Sequence, residues 1–265
     1  VTKTKDLGLR KELAGYLFII PTLLIIVTIN FYPLGRIVYL SVFRKIVGTV
    51  EIFVGLKNYI YLFTSDIFWL VIVNTVVFTV SAVALKMLLG MLTALVLNRS
   101  SRFRGILRAI VMLPWAIPVY VSAFVWVWLY NPSLGMLNKL TETLGLGYYY
   151  WLQDYPMLGV VWVNVWQTVP FVALALLAGL QSVSREIIES ATMDGAGAVQ
   201  TFRYVTIPTL KPVIVILLTL QTLWTFGDFV TIWILTGGGP GYATKTLPIY
   251  IFEQNFVTLD LGLAS

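Results

Sequence analysis

The chain contains neither cysteine nor histidine. Without cysteine there is no disulfide framework and no thiolate metal site. Without histidine the usual general base and the commonest metal ligand are gone, and no catalytic residue and no metal site is assigned. Charge is scarce as well. Only 11% of the 265 residues are charged, whereas 58% are hydrophobic. That balance is too apolar for a soluble domain of this size and implies an all-α, polytopic membrane protein built as a helical bundle. The net charge of +6 is no signal for nucleic acid, because the basic residues fall in short segments between apolar runs, where membrane topology accounts for them. Residues 1–14 are polar and basic, and the apolar run after them carries no A-x-A-like site, so no cleaved leader is expected.

Five apolar runs are long enough to cross a bilayer, which takes roughly 20 residues: 15–34, 69–97, 109–130, 158–180 and 212–236. Pro21 is expected to kink the first. Pro114 and Pro118 in the third free backbone carbonyls that neighbours or water must satisfy. The intervening segments 1–14, 98–108 and 181–211 carry 4, 4 and 3 Lys/Arg, against 4, 1 and 1 for 35–68, 131–157 and 237–260. The positive-inside rule therefore places the first set, including Lys3, Lys5, Arg10 and Lys11, in the cytoplasm. Segment 35–68 fits that rule worst. The last five residues, Leu261 to Ser265, read as the first turn of a further helix. The chain divides into 1–68 (tail, first span, outer segment) and a core of 69–265.

The longest polar interruption is 184–212. Ser184 is placed to cap a helix, with Glu186 in its first turn, where a negative charge suits the dipole. Ile187, Ile188, Ala191 and Thr192 fall at helical spacing. Asp194-Gly195 ends that helix, with Gly195 free to take positive φ. A second short helix is expected over about 198–204, and Pro208 and Pro212 stiffen the return to the membrane. With Glu189 and Arg203 available, this hairpin can dock into a groove of another protein; the alternative is an ordinary interhelical loop.

Glu189-Ser190-Ala191, Asp194-Gly195-Ala196 and Val205-Thr206-Ile207-Pro208 resemble the E-A-A…G…I-x-L-P signature of permease subunits of binding-protein-dependent ABC importers. Ser190 and Ile207 depart from the usual Ala and Leu and keep the size. The likeness extends over residues 55–265. Asn74-Thr75, Arg108 with Pro114-Trp115 and Pro118, Trp166 with Pro170-Phe171, and Asp228 followed by Leu235-Thr236-Gly237-Gly238-Gly239-Pro240 resemble the carbohydrate branch. Within that branch they resemble the first of two non-identical permeases of maltose-, trehalose- or glycerol-3-phosphate-type importers. The resemblance implies a type I importer permease fold with six spans in the full chain. It gives Glu189, Ala191 and Gly195 the coupling role, within a docking loop 182–211 that also holds Asp194, Arg203 and Pro208. The implied partners are a second homologous permease, two ATPase subunits that bind the ATP and Mg, an extracytoplasmic sugar-binding protein, and the sugar itself. The implied location is the inner membrane of a prokaryote, multi-pass, with a cytoplasmic N-terminus. A polyol or glycerol phosphate is the alternative solute. A stand-alone ion-coupled transporter is the alternative class, although no internal repeat is evident.

For a solute path, Gln221, Trp224, Thr225 and Asp228 stand at i, i+3, i+4 and i+7, on one face of the fifth span if the helix is continuous. Asn164, Gln167 and Thr168 add amides and a hydroxyl from the fourth. Polar groups beside tryptophans suit sugar hydroxyls and ring faces; interhelical hydrogen bonding is the other reading. Lys86 in the second span is expected either to bond a neighbouring carbonyl or to serve transport. The run 239–246 is one residue short of a P-loop, with Thr244 where glycine is required. It reads as a tight turn, so ATP hydrolysis is left to partners.

Overall fold

The computed structural model describes residues 16–99 and 103–265. The basic tail (Lys3, Lys5, Arg10, Lys11) and Arg102 lie outside the described residues. The backbone clusters into two compact units, one joining the residues up to Ser65 with Ile251–Ser265, the other Asp66–Tyr250.

In the first unit, α1 (Tyr16–Ser41) is an apolar helix whose most apolar stretch has no residue buried within the chain. A helix apolar on all sides and uncovered by its own chain suits lipid or another subunit. It passes through Pro21 and runs beyond the expected end at residue 34; its irregular turn is a π segment at Val27–Phe31. Two short antiparallel strands follow, β1 (Phe43–Arg44) and β2 (Ile52–Phe53), and an Arg36–Glu51 ion pair of 2.5 Å clamps the turn. Helix α2 (Lys57–Thr64) comes next. Its Asn58 amide donates to the carbonyls of Ser41 (2.8 Å), Phe43 (2.9 Å) and Gly262 (3.3 Å). The expected terminal turn is present as a helix at Leu261–Ala264, with the Asp260 carboxylate accepting from the Leu263 amide at 3.0 Å.

The second unit is built on α3 (Asp66–Asn98), a 33-residue helix. At 1.5 Å per residue it is about 50 Å long, more than a bilayer core requires. One stripe of it is buried: Val71, Phe78, Ala82, Lys86, Gly90 and Ala94 recur at spacings of four or seven. The opposite side, with Val73, Val76, Val80 and Leu88, is exposed and equally apolar. This is why the sequence reads as a uniform apolar run although only one face packs.

Helix α4 (Arg104–Ala116) and helix α5 (Val119–Leu129) were expected as one span over 109–130. They are instead two helices bent by 92°. The cause is local: Pro118 forces Ile117 out of the helical region, to φ −81° and ψ 132°, because its ring clashes with the preceding residue. Helices α6 (Met136–Thr143) and α7 (Trp151–Asp154) lie in the next connection. There buried Asn138 donates to the Pro132 and Tyr149 carbonyls and accepts from the Tyr149 amide and the Trp151 indole, which uses its full bonding capacity.

Helix α8 (Pro156–Ser182) is the most buried of the spans and packs along α3. A Cβ on Gly90 would lie 2.6 Å from Cγ1 of Val172. Glycine there lets the two backbones approach, the small-residue contact by which helices associate in lipid. Helix α9 (Arg185–Met193) follows, and then α10 (Ala198–Phe226). The second hairpin helix was expected to stop near Tyr204. It instead continues into the fifth span through a π segment at Phe202–Thr206. The widened turn precedes Pro208, whose ring would otherwise collide with the carbonyl four residues back. The fifth span was expected to reach residue 236; α10 ends at Phe226, and a separate α11 (Val230–Leu235) follows.

Among the described residues, α1, α3, α8 and α10 are each long and apolar enough to cross a membrane, and the bent α4–α5 pair makes a fifth. These are the five runs read from the sequence.

Candidate solute cavity and docking hairpin

The break between α10 and α11 creates the central site. The Gly227 amide bonds the Leu223 carbonyl (3.2 Å) and the Asp228 amide that of Thr225 (3.1 Å), which closes α10 with a tight turn. Asp228 is therefore not on the helical face shared by Gln221, Trp224 and Thr225. Its carboxylate is held by the Asn164 side-chain amide (2.6 Å) and by the Thr231 backbone N–H (3.1 Å). The second bond satisfies a first-turn donor of α11 from one residue before its cap position, Phe229.

A cavity of about 390 Å³ opens beside this turn. Its polar lining is Lys86, Asn164, Gln167, Thr168, Asp228 and Thr231; Trp115 and Trp224 form aromatic wall, and the bend at Ile117-Pro118-Val119 contributes backbone. Gln167 donates its amide to the Ile117 carbonyl at 3.3 Å, which pairs a backbone group that the bend would leave open inside a membrane. Phe171 links the two tryptophans, 6.0 Å from Trp115 and 5.4 Å from Trp224 between ring centroids. Asn164 Oδ1 and Thr231 Oγ1 are buried without a partner.

Of the residues nominated for a path, Asn164, Gln167, Thr168, Trp224 and Asp228 meet here. Gln221 and Thr225 do not line the cavity; they are 0% and 1% exposed, behind its wall. Thr225 donates to the Gln221 carbonyl at 2.6 Å and accepts from Lys86 Nζ at 2.8 Å. The expected carbonyl partner of Lys86 is thus a threonine hydroxyl, and the same lysine lines the cavity. Trp115, Pro118 and Thr231 were not nominated. A lysine amid apolar sequence was the one signal in the sequence for the position of Lys86.

The loop after α11 explains two further motifs. Asn74 donates to the carbonyls of Tyr242 (2.8 Å) and Lys245 (3.2 Å), and Thr75 accepts from the Leu247 amide (2.9 Å). The Asn-Thr pair thus pins the 236–247 loop to α3. Within that loop Thr244 is buried, with its hydroxyl 2.6 Å from that of Thr236 and bonded to the Gly239 carbonyl at 2.9 Å. The P-loop lookalike is a closed turn with no cradle for phosphate.

At the far end of α8 the hairpin has the expected caps. Ser184 Oγ accepts from the Glu186 amide at 3.2 Å. Asp194 closes α9, and Gly195 takes φ +84°. Glu189, Asp194, Arg203 and Pro208 are exposed, and Ala191 is half-buried. Arg203 lies over the Tyr204 ring, 5.8 Å from its centroid.

Apolar spans around a polar, tryptophan-walled cavity, with a capped hairpin presented at one end, define a polytopic membrane permease. The chain belongs to the family described as binding-protein-dependent transport system inner membrane component, whose shared pattern matches residues 86–263. It is 38% identical over 266 residues to the trehalose/maltose transport system permease protein MalF of Thermococcus litoralis, covering 99% of this chain and 90% of that one. It is 33% identical to the sulfoquinovosyl glycerol transport system permease protein SmoG of Agrobacterium fabrum, covering 99% of this chain and 86% of that one. In fold it matches a chain in the crystal structure of a bacterial ABC transporter involved in the import of the acidic polysaccharide alginate. That match has a TM-score of 0.79 at 21% identity, covering 97% of this chain and 89% of that one.

Proposed function

We propose that this chain is the membrane-spanning subunit of an ATP-driven importer and supplies half of the pathway for a sugar, of the di- or oligosaccharide class. The observation that carries the solute assignment is the cavity at the α10–α11 break, where Lys86, Asn164, Gln167, Thr168 and Asp228 stand beside Trp115 and Trp224. Its volume is within the roughly 300–1,000 Å³ of small-molecule sites. Amides and a carboxylate serve hydroxyls, and indole faces cover the apolar faces of a sugar ring. The relatives named for trehalose/maltose and sulfoquinovosyl glycerol transport support a carbohydrate.

The hairpin 184–208 faces the cytoplasm and docks into an ATPase subunit. Glu189, Ala191, Asp194, Gly195, Arg203 and Pro208 form that contact, and ATP and Mg stay with the partner. A second homologous permease completes the path, and an extracytoplasmic binding protein delivers the solute. A solved alginate transporter in complex with a pentasaccharide-bound periplasmic protein supports that last partner.

The test is uptake of labelled trehalose or maltose by proteoliposomes holding the assembled transporter. Uptake that needs ATP inside and the binding protein outside is the expected result. Uptake driven equally well by an ion gradient without ATP would overturn the reading.

A further inference from the structure

We propose that a polar cavity beside the hairpin, sharing no lining residue with the solute cavity, binds the phosphate group of a small soluble phosphate ester. The cavity, of about 520 Å³, is lined by Arg104 and Arg108 of α4, Asn98 at the end of α3, and Gln181 of α8. Leu180 and Val183 form its buried floor, and Ile188 of α9 borders it.

The lining supplies two permanent cations and two side-chain amides, and no acid. Among the described residues neither arginine enters an ion pair. Arg104 Nε donates to the Arg99 carbonyl at 2.9 Å, and Arg108 Nε is buried without an acceptor. The Arg108 guanidinium is thus partly withdrawn from water with no counter-charge beside it, whereas charges taken out of water are ordinarily paired. The two arginines stand one turn apart on one face of α4, about 5–6 Å between Cβ atoms, close enough for both forks to reach the oxygens of one phosphate.

The rest of α4 favours a soluble ester over a phospholipid. Its exposed apolar residues Ile106, Ile110 and Leu113 lie on the face opposite the arginines, so no apolar track leads from the cavity to seat acyl chains. The volume falls within the roughly 300–1,000 Å³ of small-molecule sites and leaves room for a carbon skeleton beyond the phosphate. The Asn98 and Gln181 amides serve that skeleton's hydroxyls. An ester that touches Ile188 as well bridges α9 of the hairpin to the ends of α3, α4 and α8.

The test is equilibrium binding of labelled glucose 6-phosphate to the assembled transporter in phosphatidylcholine nanodiscs, with saturating ADP and Mg to fill the nucleotide sites of the ATPases. Nanodiscs expose both faces, so the result does not depend on which side the hairpin faces. The wild type is expected to bind glucose 6-phosphate about tenfold or more tightly than glucose, the least that a hydrogen bond to a charged group contributes. Inorganic phosphate is expected to compete, and R104Q/R108Q is expected to lose the preference. Equal binding of the two sugars by the wild type overturns the proposal and needs no variant to fold. An unchanged preference in the double variant overturns it as well, because the ester then binds elsewhere. Loss of binding when phosphatidylglycerol is added to the nanodiscs gives the cavity to a lipid headgroup. Binding seen only after the ATPases are stripped gives it to an acidic side chain of the partner. Either of these results also overturns the proposal. No transport is measured, so failure of the import reading, seen as uptake without ATP, is a separate result.

Discussion

Asn164 donates to Asp228 across 2.6 Å and ties the fourth span to the turn that ends the fifth. The bond sets the direction of the Asp228 carboxylate and leaves Asn164 Oδ1 as a buried acceptor without a donor.

Asp228→Ala removes the acceptor for both the Asn164 amide and the Thr231 backbone N–H. Hydrogen bonds to a charged group contribute about 1.5–3 kcal/mol, so uptake is expected to fall by about tenfold or more while the complex still assembles. Proteoliposome uptake, read beside size-exclusion chromatography of the complex, checks this. Normal uptake kinetics would reduce Asp228 to a cap of α11.

Lys86→Met keeps the volume of the chain and removes a buried ammonium whose bond is to the Thr225 hydroxyl. Apolar groups can replace a whole buried ion pair at little cost, but removing one charge leaves the other uncompensated, and Asp228 lines the same cavity as Lys86. The complex is therefore expected to assemble with a lower Tm while the KM for uptake rises. A lower Tm with unchanged KM would make Lys86 purely structural.

Gly90→Leu sets a branched side chain against Val172, where a bare Cβ already falls within 2.6 Å. Overpacking of this kind costs about 1–3 kcal/mol. Reduced thermal stability in detergent is expected, with Gly90→Ala milder.

Gly195 is at φ +84° with open space around its Cβ position, so backbone strain alone decides what is tolerated. A β-branched residue there costs roughly 1–2 kcal/mol or more, whereas asparagine visits this region readily. Gly195→Val is expected to lower the sugar moved per ATP hydrolysed, and Gly195→Asn to retain it.

The features legible in the sequence were the local ones. Ser184 as a cap and Gly195 as a terminator depend on side chains within a few residues, and the five spans follow from apolar length. The 92° bend between α4 and α5 was hidden because 109–130 is also the right length for one straight span, and prolines are tolerated in straight ones. The assignment of Gln221, Trp224, Thr225 and Asp228 to one face assumed a helix through Gly227. Once that helix stops, Asp228 turns into the cavity while Gln221 and Thr225 stay behind its wall. Lys86 meets Thr225 139 positions away, a contact that no local pattern encodes. The buried Gln221 carries two side-chain atoms without partners, and nothing in the structure explains why an amide is there.

The most direct test of the account is Glu189→Lys in the assembled transporter, with sugar uptake and ATP hydrolysis measured on the same proteoliposomes. Glu189 is exposed on the hairpin, so the substitution reverses a surface charge without disturbing a core. The account predicts weakened association of the ATPase and loss of uptake, with the cavity and caps intact. Wild-type uptake at the wild-type ratio of sugar to ATP would contradict it and reduce the hairpin to a connecting loop.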